Sequence, residues 1–186
     1  MTESSRKNIA IFGGKFDPPH LGHQLSIFLA LEKYGFGEVW IIPSFSHPFG
    51  FHPGDFDSRL EMCRIMAEPF GQKAKVLDIE RNLGLETVYT VNLIEHLIKN
   101  FPENDFSLLI GSDNWKVRDK WKDFGRIEEM CRKIVVIGRG GNGDESFNLP
   151  DISSTMIKNL IKEGKDPEIF LPAGIAEYIG KNKLYL

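Results

Sequence analysis

Positive charge is scarce in this chain: 23 lysines and arginines against 26 aspartates and glutamates leave a formal charge of −3, so the basic footprint of a nucleic-acid binder is absent. Long apolar runs are missing as well. None approaches the roughly 20 residues that cross a bilayer, and Met1 to Asn8 is polar, without the apolar core of a signal peptide. The expectation is a cytosolic protein with neither nucleic acid nor membrane as a partner. Cysteine is limited to Cys63 and Cys131, which have no metal-ligand spacing. A disulfide framework or zinc knuckle is therefore not expected, and both read as reduced packing residues. Repeats and low-complexity tracts are absent, so 186 residues read as one domain spanning 1–186. The dinucleotide signature G-x-G-x-x-G is also absent: Gly13-Gly14-Lys15-Phe16-Asp17-Pro18 stands in its place, which argues against a dinucleotide-binding oxidoreductase. A metal hydrolase built on His20, His23, His47 and His52 lacks a third ligand at a convincing spacing, so no protein-held metal is expected.

What is present is an ordinary globular composition, 41% apolar and 26% charged, with a regular alternation of short apolar runs and longer helical segments. The runs are Ile9 to Phe12, Val39 to Ile42, Val76 to Ile79, Phe106 to Ile110 and Ile134 to Ile137. Nearly continuous Val, Ile and Leu suits strands covered on both faces, the pattern of a parallel sheet. Helical spacing is read over His20 to Tyr34, Asp57 to Met66, Tyr89 to Lys99, and Trp115 to Arg132 with a break near Gly125. Alternation of this kind predicts an α/β, doubly wound, Rossmann-like parallel sheet of about five strands with helices on both faces. Arg139 to Gly143 reads as a surface loop, and helices around Thr155 to Glu163 and Ala173 to Lys181 form a small helical C-terminal part.

In open α/β sheets ligands sit beyond the carboxyl ends of the strands. After the first run comes Gly13-Gly14-Lys15-Phe16-Asp17-Pro18-Pro19-His20-Leu21-Gly22-His23. Two glycines let backbone amides approach a phosphate, and a following helix aims its positive end at the same place. His20 and His23, three apart, fall on one face of the first helical turn, where both can donate to phosphate oxygens. Gly22 between them removes a side chain where a base or ribose would lie against the helix. A second anion site is read from Ile152-Ser153-Ser154-Thr155-Met156-Ile157-Lys158. One hydroxyl caps the helix, two remain over, and Lys158 brings an ammonium to the same face one turn in.

These two motifs together resemble the nicotinate (or nicotinamide) mononucleotide adenylyltransferases. The likeness continues through Ile41-Ile42-Pro43, Arg59-Leu60-Glu61-Met62, Tyr89-Thr90-Val91, Ile110-Gly111-Ser112-Asp113, Trp121, Arg139 and the closing Leu184-Tyr185. The first motif alone is shared by all HxGH nucleotidyltransferases; the Ser-Ser-Thr run resembles the pyridine-nucleotide branch. The resemblance implies AMP transfer from ATP to a pyridine mononucleotide, with pyrophosphate released and Mg²⁺ carried on ATP phosphates. It implies that His20 and His23 stabilise the phosphates, with Lys158 as a further cation; Lys15, which departs from the family, is read as pointing its own charge towards the phosphates or the acceptor. Gly13, Gly14, Phe16, Asp17, Gly22, Ser153, Ser154, Thr155 and Arg139 would surround the nucleotide. Gly111 and Asp113 would meet the adenosine, Trp121 would stack on the pyridine ring, and Thr90 would contact the ring's carboxylate or amide.

Three departures from the family pattern stand out. Lys15 replaces the usual Ser or Thr, and Lys158 the usual Arg. Pro43-Ser44-Phe45-Ser46-His47-Pro48-Phe49-Gly50 replaces a Pro-Pro-His-Lys-like run, so its lysine is missing. Either Lys15, or His47 and His52, supplies that charge, or the acceptor is a different phosphate-bearing molecule. The remaining alternative is a nucleotide-binding sensor of the same fold that has lost turnover. The choice between acid and amide acceptor, and between monomer and homo-oligomer, is left open by the sequence.

Overall fold

A computed structural model describes residues 6–45, 55–85, 87–139 and 148–186. Its centre is β1 (Lys7–Gly14), whose buried Ile9-Ala10-Ile11-Phe12 run pairs in parallel on both sides. On one side lie β2 (Glu38–Pro43) and β3 (Ala74–Val76); on the other lie β4 (Asn104–Gly111), β5 (Ile134–Arg139) and a two-residue β6 (Asn148–Leu149). The order is β3-β2-β1-β4-β5-β6, with every pairing parallel. Ile11 lies opposite both Trp40 and Leu108.

Alternation of side chains across the sheet divides the core in two. One layer contains Ala10, Phe12, Val39, Ile41, Leu109 and Ile137, covered by α1 (Leu21–Glu32), α2 (Phe56–Ala67), α7 (Ser154–Lys162) and α8 (Ile175–Lys181). The other contains Ile9, Ile11, Trp40, Ile42, Leu108 and Ile110, covered by α4 (Thr90–Asn100) and α6 (Phe124–Met130). Ile9, Ile11 and Ile41 are fully buried, each worth about 1.5–3 kcal/mol of transfer free energy. Burial on both faces is why these strands read as unbroken apolar runs. The expected α/β architecture is thus present, and no helix among the described residues is long and apolar enough to cross a membrane.

Two boundaries differ from expectation. The third strand is Ala74–Val76, not Val76 to Ile79, because the chain turns at Asp78 into the short α3 (Ile79–Asn82), whose Arg81 pairs back onto Asp78. The long helix expected from Trp115 is three pieces: α5 (Ser112–Lys116), a 3₁₀ turn at Arg118–Lys120, and α6. The break falls at Trp121 to Asp123, where Asp123 has φ 50°, and Gly125 lies inside α6. Trp115 and Trp121 both meet the edge of Phe124, at 6.0 and 5.9 Å, and this aromatic packing takes the place of a continuous helix.

Candidate functional site

β1 and β4 are adjacent in the sheet, yet α1 leads from β1 toward β2 on the other side. Their carboxyl ends therefore flank a topological switch point, where open sheets hold ligands. Gly13 and Gly14 end β1 there. A Cβ on Gly14 would lie 3.2 Å from the Phe16 ring, which is folded beneath the loop with 1% exposure and φ 50°. Phe16 stands edge-on to Phe12 at 5.3 Å and to His23 at 4.9 Å, so it supports the loop from below.

His20 is the N-cap of α1, in extended backbone, and His23 is the third residue of the helix. The backbone N–H of His20 donates to Nδ1 of His23 at 3.1 Å. That bond sets the tautomer: a neutral His23 carries its proton on Nε2, the edge pointing away from the cap. The two imidazoles stack at 3.7 Å with a 30° interplanar angle. A Cβ on Gly22 would sit 3.0 Å from the His20 ring, so the position is glycine for the histidine's sake.

Asp17 is buried and bridges two groups: its Oδ2 accepts from the Lys158 ammonium at 2.9 Å and its Oδ1 from the Tyr185 hydroxyl at 2.8 Å. It holds a cation in place. Burial, then the adjacent Asp17, pushes the Tyr185 hydroxyl well above its usual range, so it remains a donor. Lys15 is exposed, and its ammonium is lowered by partial burial and by neighbouring Lys158, with Asp17 opposing. Two cations thus share one carboxylate.

The N-terminus of α7 closes this arrangement. Ser153 is its cap and accepts from the Met156 N–H at 3.2 Å, while the Ser154 hydroxyl donates to the Pro18 carbonyl at 2.8 Å. Both hydroxyls are engaged within the protein. Ser154 ties the start of α7 to the loop just before α1, so two helix N-termini converge on one spot. Thr155 is the exposed hydroxyl of the three.

At the end of β4, Gly111 caps α5 and a side chain there would run into the Asp113 carboxylate. Asp113 is exposed and does not cap the helix. Thr90 opens α4, preceded by Tyr89. Tyr89, Trp115 and half-buried Trp121 pack on one cluster, with the Lys122 ammonium 4.7 Å from the Tyr89 ring, so Thr90 and Trp121 border the same region. Arg139 ends β5, while its side chain and the candidates His47, His52, Ser46 to Gly50 and Gly140 to Gly143 lie outside the described residues. Among the described residues no three His, Cys, Asp or Glu side chains gather as a metal cage.

A family model described as Cytidylyltransferase-like matches residues 11–160, from the middle of β1 to the second turn of α7. The chain belongs to the cytidylyltransferase-like family. Within it, the chain is 34% identical to a protein of Anaeromyxobacter sp. (strain K) named "Probable nicotinate-nucleotide adenylyltransferase", over 98% of each. It is 34% identical to one of Myxococcus xanthus (strain DK1622) with the same name, over 95% of this chain and 94% of the other. The fold superposes on the Plasmodium falciparum nicotinic acid mononucleotide adenylyltransferase complexed with NaAD with TM-score 0.80 at 21% identity, covering 96% and 97% of the two chains.

In this cytidylyltransferase-like chain the structure gives roles to Arg59 and Tyr185, quoted from the sequence only as part of the likeness, and to Glu80, which sequence reasoning did not single out. Arg59 is 1% exposed and spans two loops: Nη1 donates to the Lys15 carbonyl at 2.7 Å and Nη2 to the Ser44 carbonyl at 2.9 Å. Its signal was an arginine on the apolar side of α2. Glu80, also buried, accepts from the Phe45 N–H at 2.8 Å, and burial raises its carboxyl to about 7. The pairing of Tyr185 with Asp17 had no local signal, because the two lie 168 residues apart.

Proposed function

We propose that this protein transfers the AMP of ATP to the 5'-phosphate of nicotinate mononucleotide, releasing pyrophosphate and forming the dinucleotide in NAD biosynthesis, in the cytosol. The observation that carries the proposal is the convergence of α1 and α7 on one point, with His20, His23, Lys15 and Lys158 around it. Two helix N-termini and several cations at one point suit a polyanion such as a triphosphate. The names of the full-length relatives support the pyridine acceptor and favour the acid over the amide.

The acceptor phosphate attacks the α-phosphorus directly, and the bond to the pyrophosphate oxygen breaks. No covalent protein intermediate is required, so catalysis consists of positioning and charge stabilisation. His23 donates through Nε2, since its Nδ1 is occupied by the His20 amide. Lys158, oriented by Asp17, and Lys15 neutralise charge that builds on the departing pyrophosphate. Exposed Asp113 accepts from ribose hydroxyls, Arg139 approaches ATP from the end of β5, and Trp121 offers its face to the pyridine ring beside Thr90. Mg²⁺ carried on the triphosphate would add Lewis-acid stabilisation there.

The test is incubation with ATP, Mg²⁺ and either nicotinate or nicotinamide mononucleotide, measuring pyrophosphate. Faster release with nicotinate mononucleotide is expected. ATP binding without pyrophosphate from either acceptor would overturn the proposal and favour another acceptor or a sensor role.

A further inference from the structure

The phosphate cradle uses the loop after β1, and the chain leaving β2 is held by two buried side chains, one of which also ties it to that loop. At Ser44 and Phe45 every described polar backbone contact is directed. The Ser44 N–H donates to the Gly14 carbonyl at 2.9 Å, the Ser44 carbonyl accepts from Arg59, and the Phe45 N–H donates to Glu80. Arg59 comes from α2 and Glu80 from α3, so two elements that follow β2 and β3 grip one dipeptide. The same guanidinium also holds the Lys15 carbonyl, which fixes the β2 exit against the phosphate loop. Both gripping side chains are buried, Arg59 at 1% and Glu80 at 7% exposure. Removing two ionisable groups from water is costly unless each is paired and hydrogen-bonded. A surface turn with ordinary glycine or proline chemistry would not need them.

We propose that Arg59 and Glu80 act together as a positioning clamp on Ser44–Phe45, setting the wall of the acceptor half of the site. This rests on the adenylyltransferase reading above. The side is assigned by topology: β2 and β3 lie on one flank of β1, and the Asp113 end that would take adenosine lies on the other. Packing agrees, since Ile79 and Leu83, which flank Glu80 on α3, join the cluster that contains Tyr89 and Trp121. Neither clamp residue touches substrate. They act through backbone, so what Glu80 must supply is an acceptor oxygen, and what Arg59 must supply is a planar fork reaching two carbonyls at once.

The experiment compares Glu80→Ala, Glu80→Gln and Arg59→Lys with the unmodified protein. Glu80→Ala is expected to raise KM for the mononucleotide by about ten-fold or more while KM for ATP stays within about two-fold; Arg59→Lys, which also loosens the Lys15 carbonyl of the phosphate loop, is expected to raise both. Glu80→Gln, which keeps an oxygen for the Phe45 N–H, is expected to restore the mononucleotide KM. Hydrogen exchange at the Phe45 amide should accelerate in Glu80→Ala and not in Glu80→Gln. If Glu80→Ala does not fold, Glu80→Met, which fills the space without an acceptor oxygen, carries the KM comparison and Glu80→Gln must match the unmodified protein. Parallel loss for both substrates when the Glu80 oxygen is removed, a Gln variant as impaired as Ala, or unchanged Phe45 exchange overturns the clamp. Should the unmodified protein release no pyrophosphate with any pyridine mononucleotide, the functional reading fails and exchange at Phe45 alone decides whether the clamp exists.

Discussion

Glycine at position 22 is decided by a distance of a few ångströms. Gly22 is the second residue of α1, where glycine costs less than the roughly 1 kcal/mol of a helix interior, and the position gives up that stability to keep the His20 ring where it is. Gly22→Ala is expected to leave the melting temperature within about 3 °C, because propensity gain and ring displacement oppose each other. The same variant should lower kcat/KM for ATP at least about ten-fold, since the displaced His20 no longer stacks on His23. His23→Ala sets the scale: loss of one preorganised donor to a developing oxyanion costs about 10²–10³ in kcat. A Gly22→Ala enzyme with full activity would show that the ring has room to move. Both histidines and the glycine were legible as a motif in sequence, but the reason for Gly22 was not. That reason is a contact with His20 Cε1 and Nδ1 at 3.0 Å, which depends on the rotamer of a capping residue and on nothing a linear pattern records.

Among the elements, α7 shows how a helix start can be spent twice. Its Ser153 cap satisfies the Met156 amide and Ser154 fastens the helix to Pro18, leaving the amides of the first turn directed at the cradle. Ser153→Ala is expected to cost about 1 kcal/mol, seen as a fall of roughly 2–4 °C in melting temperature for a chain of this size. It should also weaken ATP binding more than mononucleotide binding, measurable as separate KM values. Equal changes in both would assign Ser153 to stability alone. Sequence located this helix to within one residue at its start, because hydroxyl residues before an apolar stripe are a local signal. The strand before α3 and the break before α6 were misplaced. Val76 to Ile79 has the composition of a strand, but Asp78 turns the chain. Trp121 suits an amphipathic helix, but its ring is claimed by Phe124. Tertiary contacts overrode local preference in both cases.

Across the whole molecule, two buried glutamates oppose each other in their response to pH. Glu38, at the amino-terminal edge of the sheet, is 7% exposed. Burial alone would raise its carboxyl. Hydrogen bonds from Lys7 at 2.6 Å, Trp40 Nε1 at 2.8 Å and Lys75 at 3.0 Å outweigh that and bring it from 4.5 to about 2. A lowered folded value means stability that is present above the unfolded value and lost as pH falls from about 4.5 through about 2. Glu80 does the reverse: burial raises it from 4.5 to about 7, so its contribution is present below about 4.5 and lost as pH rises through about 7. Each shift corresponds to up to about 3 kcal/mol. The unfolding free energy should therefore pass through a maximum near pH 4.5–5 as far as these two groups govern it. Glu38→Gln should flatten the acid limb. Glu80→Gln, which cannot ionise, should flatten the fall from pH 5 to 7 and be more stable than the unmodified protein at pH 8. Denaturant midpoints at pH 3, 5 and 8 for the three proteins separate the limbs. A Glu80→Gln protein that parallels the unmodified curve from pH 5 to 8 would mean that Glu80 is charged throughout. Its bond to Phe45 would then be that of an ordinary solvated carboxylate.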